Sequence, residues 1–306
     1  MTTGRALVTG ASGFIGGHLC RRLVKGHFEV HGVSRHARED AGDGISWHRA
    51  DLTASSDVDE VMSSVRPDFV FHLAGNVTGN RKIEYVVPSF LGNLASTVYL
   101  MTKATGLGCR RFILTGSLEE PDLGEPNVPS SPYAAAKWSA SGYARMFWEL
   151  YRFPVSIARL FMVYGPAQRD TSKVVPYVTL SLLRGEAPKL SSGQRLIDWI
   201  FVDDVVDGLI LMAAAPDIEG QTVDLGSGNL VTIREVVGEI RQIINSPVEP
   251  LFGALPERPM ERVRVADVKD SYRKIAWKPE TSLTSGLRQT VHWYSSHEGQ
   301  RQAKTN

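Results

Sequence analysis

Arg5-Ala-Leu-Val-Thr9-Gly10-Ala-Ser-Gly13-Phe-Ile-Gly16 decides how the rest of the chain is read. A short apolar, β-rich run breaks at Gly10, and Phe14, Ile15, Leu19, Leu23 and Val24 then recur along one face at helical spacing. The stretch reads as strand, turn and helix. No bulky side chain stands at Gly10, Gly13 or Gly16, so backbone N–H groups at the helix N-terminus can cradle a pyrophosphate. A plain tight turn uses the same residues, but the strand before it and the helix after it are the context a dinucleotide site requires. Ser12, Phe14 and Ile15 belong to the same predicted cradle.

Further apolar runs lie at 28–33, 45–47, 69–73, 111–115 and 155–160, each separated from the next by a connecting or helical stretch. This alternation predicts an α/β fold, a Rossmann-type doubly wound parallel sheet with helices on both faces. After Tyr164-Gly165-Pro166 the punctuation changes, with Pro176, Pro188, Pro216, Pro247, Pro250, Pro256 and Pro259 interrupting short elements. That half reads as a smaller mixed C-terminal lobe for substrate. Residues 1–165, with 202–225 returning to them, are expected to form the dinucleotide-binding domain, and 166–201 and 226–306 the lobe. The tail from about Ser295 reads as disordered.

Composition narrows the function. With 42% hydrophobic and 22% charged residues the chain is no disordered polymer, and a net charge of +1 argues against a nucleic-acid partner. The N-terminal residues carry no signal-peptide pattern, and no segment approaches the ~20 apolar residues of a membrane helix. No membrane association and a cytoplasmic location are therefore expected. Cys20 and Cys109 have neither the count nor the spacing of a disulfide framework or a metal site, so no metal is expected.

The second apolar run ends Val33-Ser34-Arg35, where an enzyme preferring NAD would place an Asp or Glu on the ribose 2′-hydroxyl. Ser34 and Arg35 instead offer a hydroxyl and a fixed positive charge to a 2′-phosphate, so NADP (NADPH) is the expected cofactor, although Arg35 also fits a solvated loop. Asp51-Leu52 suits an adenine contact or, for Asp51, a helix N-cap. Leu73-Ala74-Gly75 leaves room for a nicotinamide ribose, and His72 before it reads as a core residue.

Tyr133-Ala-Ala-Ala-Lys137 sets a phenol and an ammonium one helical turn apart on one face. The lysine is expected to bring the phenol's ordinary pKa of about 10 toward the working range, where it can exchange a proton with a substrate oxygen. Ser117, just beyond the fifth apolar run, can supply a second hydrogen bond to that oxygen.

Gly10 to Gly16, His72 to Gly75, Asn93, Ser117, Tyr133 with Lys137, Tyr164-Gly165-Pro166 and Phe201-Val-Asp-Asp204 follow one another in an order that resembles the extended short-chain dehydrogenase/reductase superfamily, the group of nucleotide-sugar epimerases, dehydratases and 4-ketoreductases. The resemblance spans nearly the whole chain. It implies an enzyme in which Tyr133 is the acid/base, Lys137 also holds the nicotinamide ribose, Ser117 orients the substrate oxygen, and Asn93 has a supporting role within a helix.

Relatives that are 4,6-dehydratases place an Asp-Glu pair just after the equivalent hydroxyl residue. Here Leu118 stands at the Asp position, while Glu119 keeps that of the base. Glu119 and Glu120 also fit a solvated loop. With NADPH as expected cofactor, the reading is reduction of a nucleotide-linked 4-keto-6-deoxyhexose, and a nucleotide-sugar 4,6-dehydratase or epimerase with tightly bound NAD(P) is the alternative. Relatives often carry an Arg immediately before the Asp198 position, toward the substrate pyrophosphate; Ile197 stands there, so Arg195 and Arg258 become the expected clamps.

Two rival classes remain: a non-catalytic NADP-binding sensor, which would commonly lack the Tyr/Lys pair, and a reductase of small aldehydes or flavonoid-like ketones with Trp138, Trp148 and Trp199 in its pocket. The apolar helices expected at 86–105 and 133–151 carry more apolar surface than one sheet covers and predict a homodimer through a four-helix bundle.

Overall fold

The computed structural model describes residues 3–38, 42–121, 128–257, 260 and 262–305, with side chains described as far as His297. It divides into two compact units.

The first unit comprises Met1–Leu160, Val206–Leu225 and Lys269–Trp277. Its sheet is built from β1 (Arg5–Thr9), β2 (Glu29–Ser34), β3 (Ile45–Arg49), β4 (Phe69–His72), β5 (Arg111–Ser117), β6 (Val155–Leu160) and β9 (Thr222–Leu225), in the order β3-β2-β1-β4-β5-β6-β9. All neighbours are parallel. Between the strands run α1 (Phe14–Lys25), α2 (Ser55–Val65), α3 (Val86–Ser89), α4 (Ser96–Thr105) and α5 (Pro132–Tyr151). In α2, Val58, Val61, Met62 and Val65 recur at helical spacing and form its buried face. The register aligns Thr9 with Val33 and with His72, and His72 with Leu114, so the carboxyl ends of these strands lie at one edge.

Several differences from the sequence reading appear here. β5 continues to Ser117, because Ser117 pairs with Leu160 of β6, so the hydroxyl residue ends the strand instead of following it. The helix expected over 86–105 is interrupted by a π-type turn, Phe90–Ala95, flanked by α3 and α4. Thr97 caps the Asn93 carbonyl there with its own hydroxyl, at 2.7 Å. The domain division moves as well. Lys269–Trp277, expected in the lobe, belongs to the first unit, since the Ser271 hydroxyl donates to the Asp224 carbonyl and the Lys274 ammonium to the Thr222 carbonyl. Residues 161–165 and 202–205, expected in the first domain, fall to the second unit together with 166–201, as 162–164 pairs with a strand of that unit.

The second unit, Phe161–Val205, Gly226–Val268 and Lys278–Asn306, holds β7 (Met162–Tyr164), β8 (Leu196–Phe201) and β10 (Leu230–Thr232) in a mixed sheet of order β10-β8-β7. Its helices are α6 (Val174–Leu183), α8 (Ile233–Ile244) and α10 (Leu283–Thr305), while α7 (Val202–Ala214) and α9 (Val268–Ile275) cross the division. The expected disordered tail is the second half of α10, where the Ser295 and Ser296 hydroxyls close on the Val291 and His292 carbonyls. Among the described residues no helix is long and apolar enough to cross a membrane, and no group of three or more His, Cys, Asp or Glu could hold a metal ion.

Candidate active site

The glycine turn is where the sequence placed it. Gly10 has φ 68°, and a Cβ on it would stand 2.8 Å from the Ala74 nitrogen, so the close approach of β1 and β4 demands glycine. Gly13 takes the N-cap of α1 with no side-chain cap, which leaves the first-turn N–H groups of Phe14, Ile15 and Gly16 without a side-chain acceptor. A dinucleotide pyrophosphate fits that cradle, with Ser12 half-buried beside it.

Beside the cradle, polar side chains at the strand ends form a continuous chain. Ala74 N–H donates to Thr9 Oγ1 at 3.1 Å, Thr9 Oγ1 meets His72 Nδ1 at 2.7 Å, His72 Nε2 meets Thr97 Oγ1 at 2.9 Å, and Thr97 donates to the Asn93 carbonyl. The Thr97 proton is committed to Asn93, so Thr97 must accept from His72 Nε2–H, and Nδ1 accepts from Thr9. This logic fixes the tautomer. Burial, followed by the nearby Lys137 charge, pushes the His72 pKa down to about 3, and the ring stays neutral. Asn93 Oδ1 accepts from Asn76 N–H at 3.1 Å, and its amide donates to the Ser89 and Asn76 carbonyls. Leu73, Ala74 and Gly75 thus follow a strand end pinned from both sides.

At the end of β2, Ser34 is buried and its Oγ accepts from His36 N–H at 3.3 Å, while Arg35 is exposed. Arg49, which the sequence reading did not single out, is exposed in β3 and register-paired with Ser34. Asp51 is not a helix N-cap: α2 begins at Ser55 behind Ala54, and the Asp51 carboxylate instead accepts from Thr53 N–H and Oγ1. Those bonds, opposed by slight burial and helped by Arg35, hold the carboxyl below its ordinary range. The Leu52 side chain lies in the hydrophobic core.

Ser117, Tyr133 and Lys137 come together where β5 meets α5. Ser131 caps α5 by accepting from Ala134 N–H, and Pro132 follows at the first helical position, so the helix starts with Tyr133 in its first turn. Tyr133 shares a hydrogen bond with the Ser117 side chain, and Ser117 Oγ accepts from Glu119 N–H at 3.2 Å. Lys137 is buried, and its ammonium donates to the Thr115 carbonyl at 2.8 Å. Burial lowers its pKa to about 8, opposed by the Glu120 charge. The phenol departs from the sequence expectation. Burial drives the Tyr133 pKa well above its ordinary range, with the Ser117 bond pulling it down and Glu119 and Glu120 pushing it up.

Leu118 is 9% exposed, its N–H is bonded to the Leu160 carbonyl, and its hydrocarbon side chain offers no acid. Glu119 is half-buried and accepts from the Ser131 hydroxyl at 3.4 Å. Glu120, for which the sequence left a solvated loop as one of two readings, is only 3% exposed. In the second unit, Arg195 is half-buried just before β8 and donates to the Arg262 carbonyl at 3.4 Å. Arg258 lies outside the described residues.

A parallel dinucleotide-type sheet with a buried Ser, Tyr and Lys at the end of one strand defines an NAD(P)-dependent enzyme of the extended short-chain dehydrogenase/reductase class. The model of the NAD dependent epimerase/dehydratase family matches residues 6–226, and the chain belongs to that family. It is 29% identical to a UDP-glucose 4-epimerase of Mycolicibacterium smegmatis, with 95% of this chain and 98% of that one aligned. Against a dTDP-glucose 4,6-dehydratase of Neisseria gonorrhoeae the identity is 28%, with 97% of each chain covered. Among solved structures, a UDP-glucose 4-epimerase of Thermotoga maritima with UDP-glucose aligns at a TM-score of 0.86 and 25% identity, covering 96% of this chain and 99% of that one. A Thermus thermophilus UDP-glucose 4-epimerase in complex with NAD aligns at a TM-score of 0.83 and 26% identity, covering 95% and 98%.

Proposed function

We propose that the chain is a nucleotide-sugar 4-epimerase that works through Ser117, Tyr133 and Lys137. The observation that carries this reading is the buried triad beside an apolar Leu118: the site can move a proton at a sugar hydroxyl but has no acid at Leu118 to expel water. The reactions named for the relatives favour an epimerase or dehydratase over the 4-ketoreductase read from the sequence.

Tyr133 takes the proton of the sugar C4 hydroxyl as the C4–H bond breaks, and returns it after the 4-keto sugar has turned its other face. A dinucleotide, when bound, supplies the hydride acceptor for the first half and the donor for the second. The Ser117 hydroxyl steadies the oxygen throughout. Lys137, anchored on the Thr115 carbonyl, is the residue that would hold the nicotinamide ribose when a dinucleotide is bound. Atoms and electrons balance over the cycle, with no net consumption of cofactor.

The cofactor is assigned as NADP on Ser34 and Arg35, with no Asp or Glu at the carboxyl end of β2, reinforced by Arg49 across the register, although the Thermus relative carries NAD. Arg35→Ala should narrow the gap in affinity between NADPH and NADH; tighter NADH binding to the wild type would contradict the assignment. The substrate is a nucleotide-linked hexose, the class of compound named for the relatives, and Arg195 and Arg258 are the residues that the resemblance implies for its pyrophosphate. A homodimer is supported by Val86, Val87 and Phe90, 42%, 62% and 50% exposed, together with Tyr143, Leu150 and Tyr151 on α5, 41%, 67% and 55% exposed. Light scattering at micromolar concentration should give twice the chain mass.

The reaction is tested by incubating UDP- and dTDP-linked hexoses with the protein while NMR follows the C4 configuration and mass spectrometry follows water. Inversion at C4 is expected. Loss of water, or steady NADPH consumption on a 4-keto sugar, would replace the epimerase reading with the dehydratase or the reductase.

A further inference from the structure

Among the buried charged groups of the first unit, Glu120 is assigned no part in the reaction above, yet it touches both elements that meet at the site. Its Oε1 accepts from the Ser117 N–H at 2.7 Å, and its Oε2 accepts from the Ser141 hydroxyl at 2.8 Å. The Glu120 N–H in turn donates to the Ser117 carbonyl at 3.1 Å, closing a turn around the hydroxyl residue. Ser141 lies one helical turn beyond Lys137, as Lys137 lies one turn beyond Tyr133, so three polar residues form one stripe on α5. A Cβ on Gly116 would stand 2.5 Å from Oε1; glycine at that point of β5 is what admits the carboxylate.

We infer that Glu120 is a positioning residue whose carboxylate, bonded at once to the Ser117 N–H and the Ser141 hydroxyl, ties the Ser117 turn to the Tyr133–Lys137–Ser141 face of α5 and sets a buried negative charge against that face. The first half follows from the hydrogen bonds, because one carboxylate spans the two elements whose separation sets the distance between Ser117 and Tyr133. The second follows from burial. A carboxylate shielded from water acts strongly on its neighbours. Burial is the larger influence on Lys137 and Arg145 and lowers both, and Glu120 opposes it in each case. On Tyr133 burial and the Glu119 and Glu120 charges act in the same direction, against the Ser117 bond. The remaining titratable group of this corner is His72 of β4, neutral beside Lys137.

The significance of this charge for activity rests on the triad reading above, but the test is arranged to stand apart from it. Glu120→Gln keeps the shape and can still accept from Ser117, while Ser141 can reverse its hydroxyl toward the new amide. The Lys137 signal is followed in protein labelled with ¹³C-lysine, Lys137→Met supplying the assignment. In Glu120→Gln the Lys137 midpoint should fall by about one pH unit or more, and the pH profile of kcat/KM should move toward acid while the nucleotide-sugar KM holds. An unchanged Lys137 titration in a folded Glu120→Gln protein would overturn the inference. Ser141→Ala covers the case in which that variant fails to fold: it keeps the charge and removes one tether, and should lower kcat several-fold with KM unchanged, whereas wild-type kcat would count against the tether. A wild-type protein inert toward every nucleotide sugar would refute the epimerase reading alone, since the titration needs no substrate.

Discussion

At the strand ends of the first unit a few buried polar side chains bond to one another, whereas in the second unit two buried carboxylates are taken up by backbone N–H groups. Thr9, His72 and Thr97 form a side-chain relay across the strand ends that finishes on the Asn93 carbonyl, and Glu120 joins the Ser117 turn to Ser141. In the second unit Asp198, 1% exposed, accepts from the N–H groups of Ser227, Gly228 and Ala266 and from the Ser227 hydroxyl. Asp204 likewise accepts from the N–H groups of Glu280 and Thr281 and from the Thr281 hydroxyl. A carboxylate saturated by backbone donors has few lone pairs left for a ligand and serves construction. A relay of hydroxyls and a neutral imidazole instead fixes the orientation of groups that must be held in place at a reaction site.

Four variants sharpen this contrast. The largest effect falls on turnover: Tyr133→Phe should lose about 10²–10⁴-fold in kcat while binding dinucleotide as the wild type does, checked by steady-state kinetics beside a cofactor titration. Next comes Asp198→Ala, which strands the N–H groups of Ser227, Gly228 and Ala266 and should cost about 2–4 kcal/mol in denaturant unfolding. Dinucleotide affinity, a property of the first unit, should survive that change; its loss would blur the distinction between the units.

Lys137 tests the opposite sign. Its folded pKa of about 8 lies below the ordinary 10.5, so the folded chain binds fewer protons than the unfolded one between those values. The resulting destabilisation is fully present below about pH 8 and fades as pH rises toward 10.5. Lys137→Met should therefore raise stability at pH 7 by about 1–3 kcal/mol while abolishing turnover, with the gain shrinking at pH 10. The smallest effect belongs to His72, held to about 3 against an ordinary 6.5. The stability this depressed value contributes is present above about pH 6.5 and is lost as pH falls toward 3. His72→Asn should flatten that acid limb by about 1–2 kcal/mol at pH 5, seen by thermal unfolding across the range.

The legible parts of this molecule are those where local chemistry and global fold coincide. The glycine turn, the strand alternation and the Tyr133/Lys137 spacing each depend on a few consecutive residues and a period, so they could be read directly. Glu120 could not, because its burial depends on Gly116 beside it and on Ser141 twenty-one residues away, neither of which stands out in sequence. The Tyr133 proton affinity was misjudged for a related reason: the spacing puts an ammonium nearby, but only the fold shows that burial outweighs it and that Lys137 turns to the Thr115 carbonyl. An N-cap stood as the alternative to an adenine contact for Asp51 because an Asx turn onto Thr53 uses the same side-chain chemistry. Lys269–Trp277 joins the first unit through bonds to β9, a long-range pairing that no local pattern announces.

The central claim is that one carbon loses and regains the same hydrogen. A nucleotide-linked hexose deuterated at C4, incubated with the purified protein and no added dinucleotide, tests it most directly. The account predicts that both C4 epimers accumulate and that both keep deuterium at C4, as NMR and mass spectrometry would report. Loss of deuterium from C4 in either epimer, or loss of water in place of inversion, would contradict it.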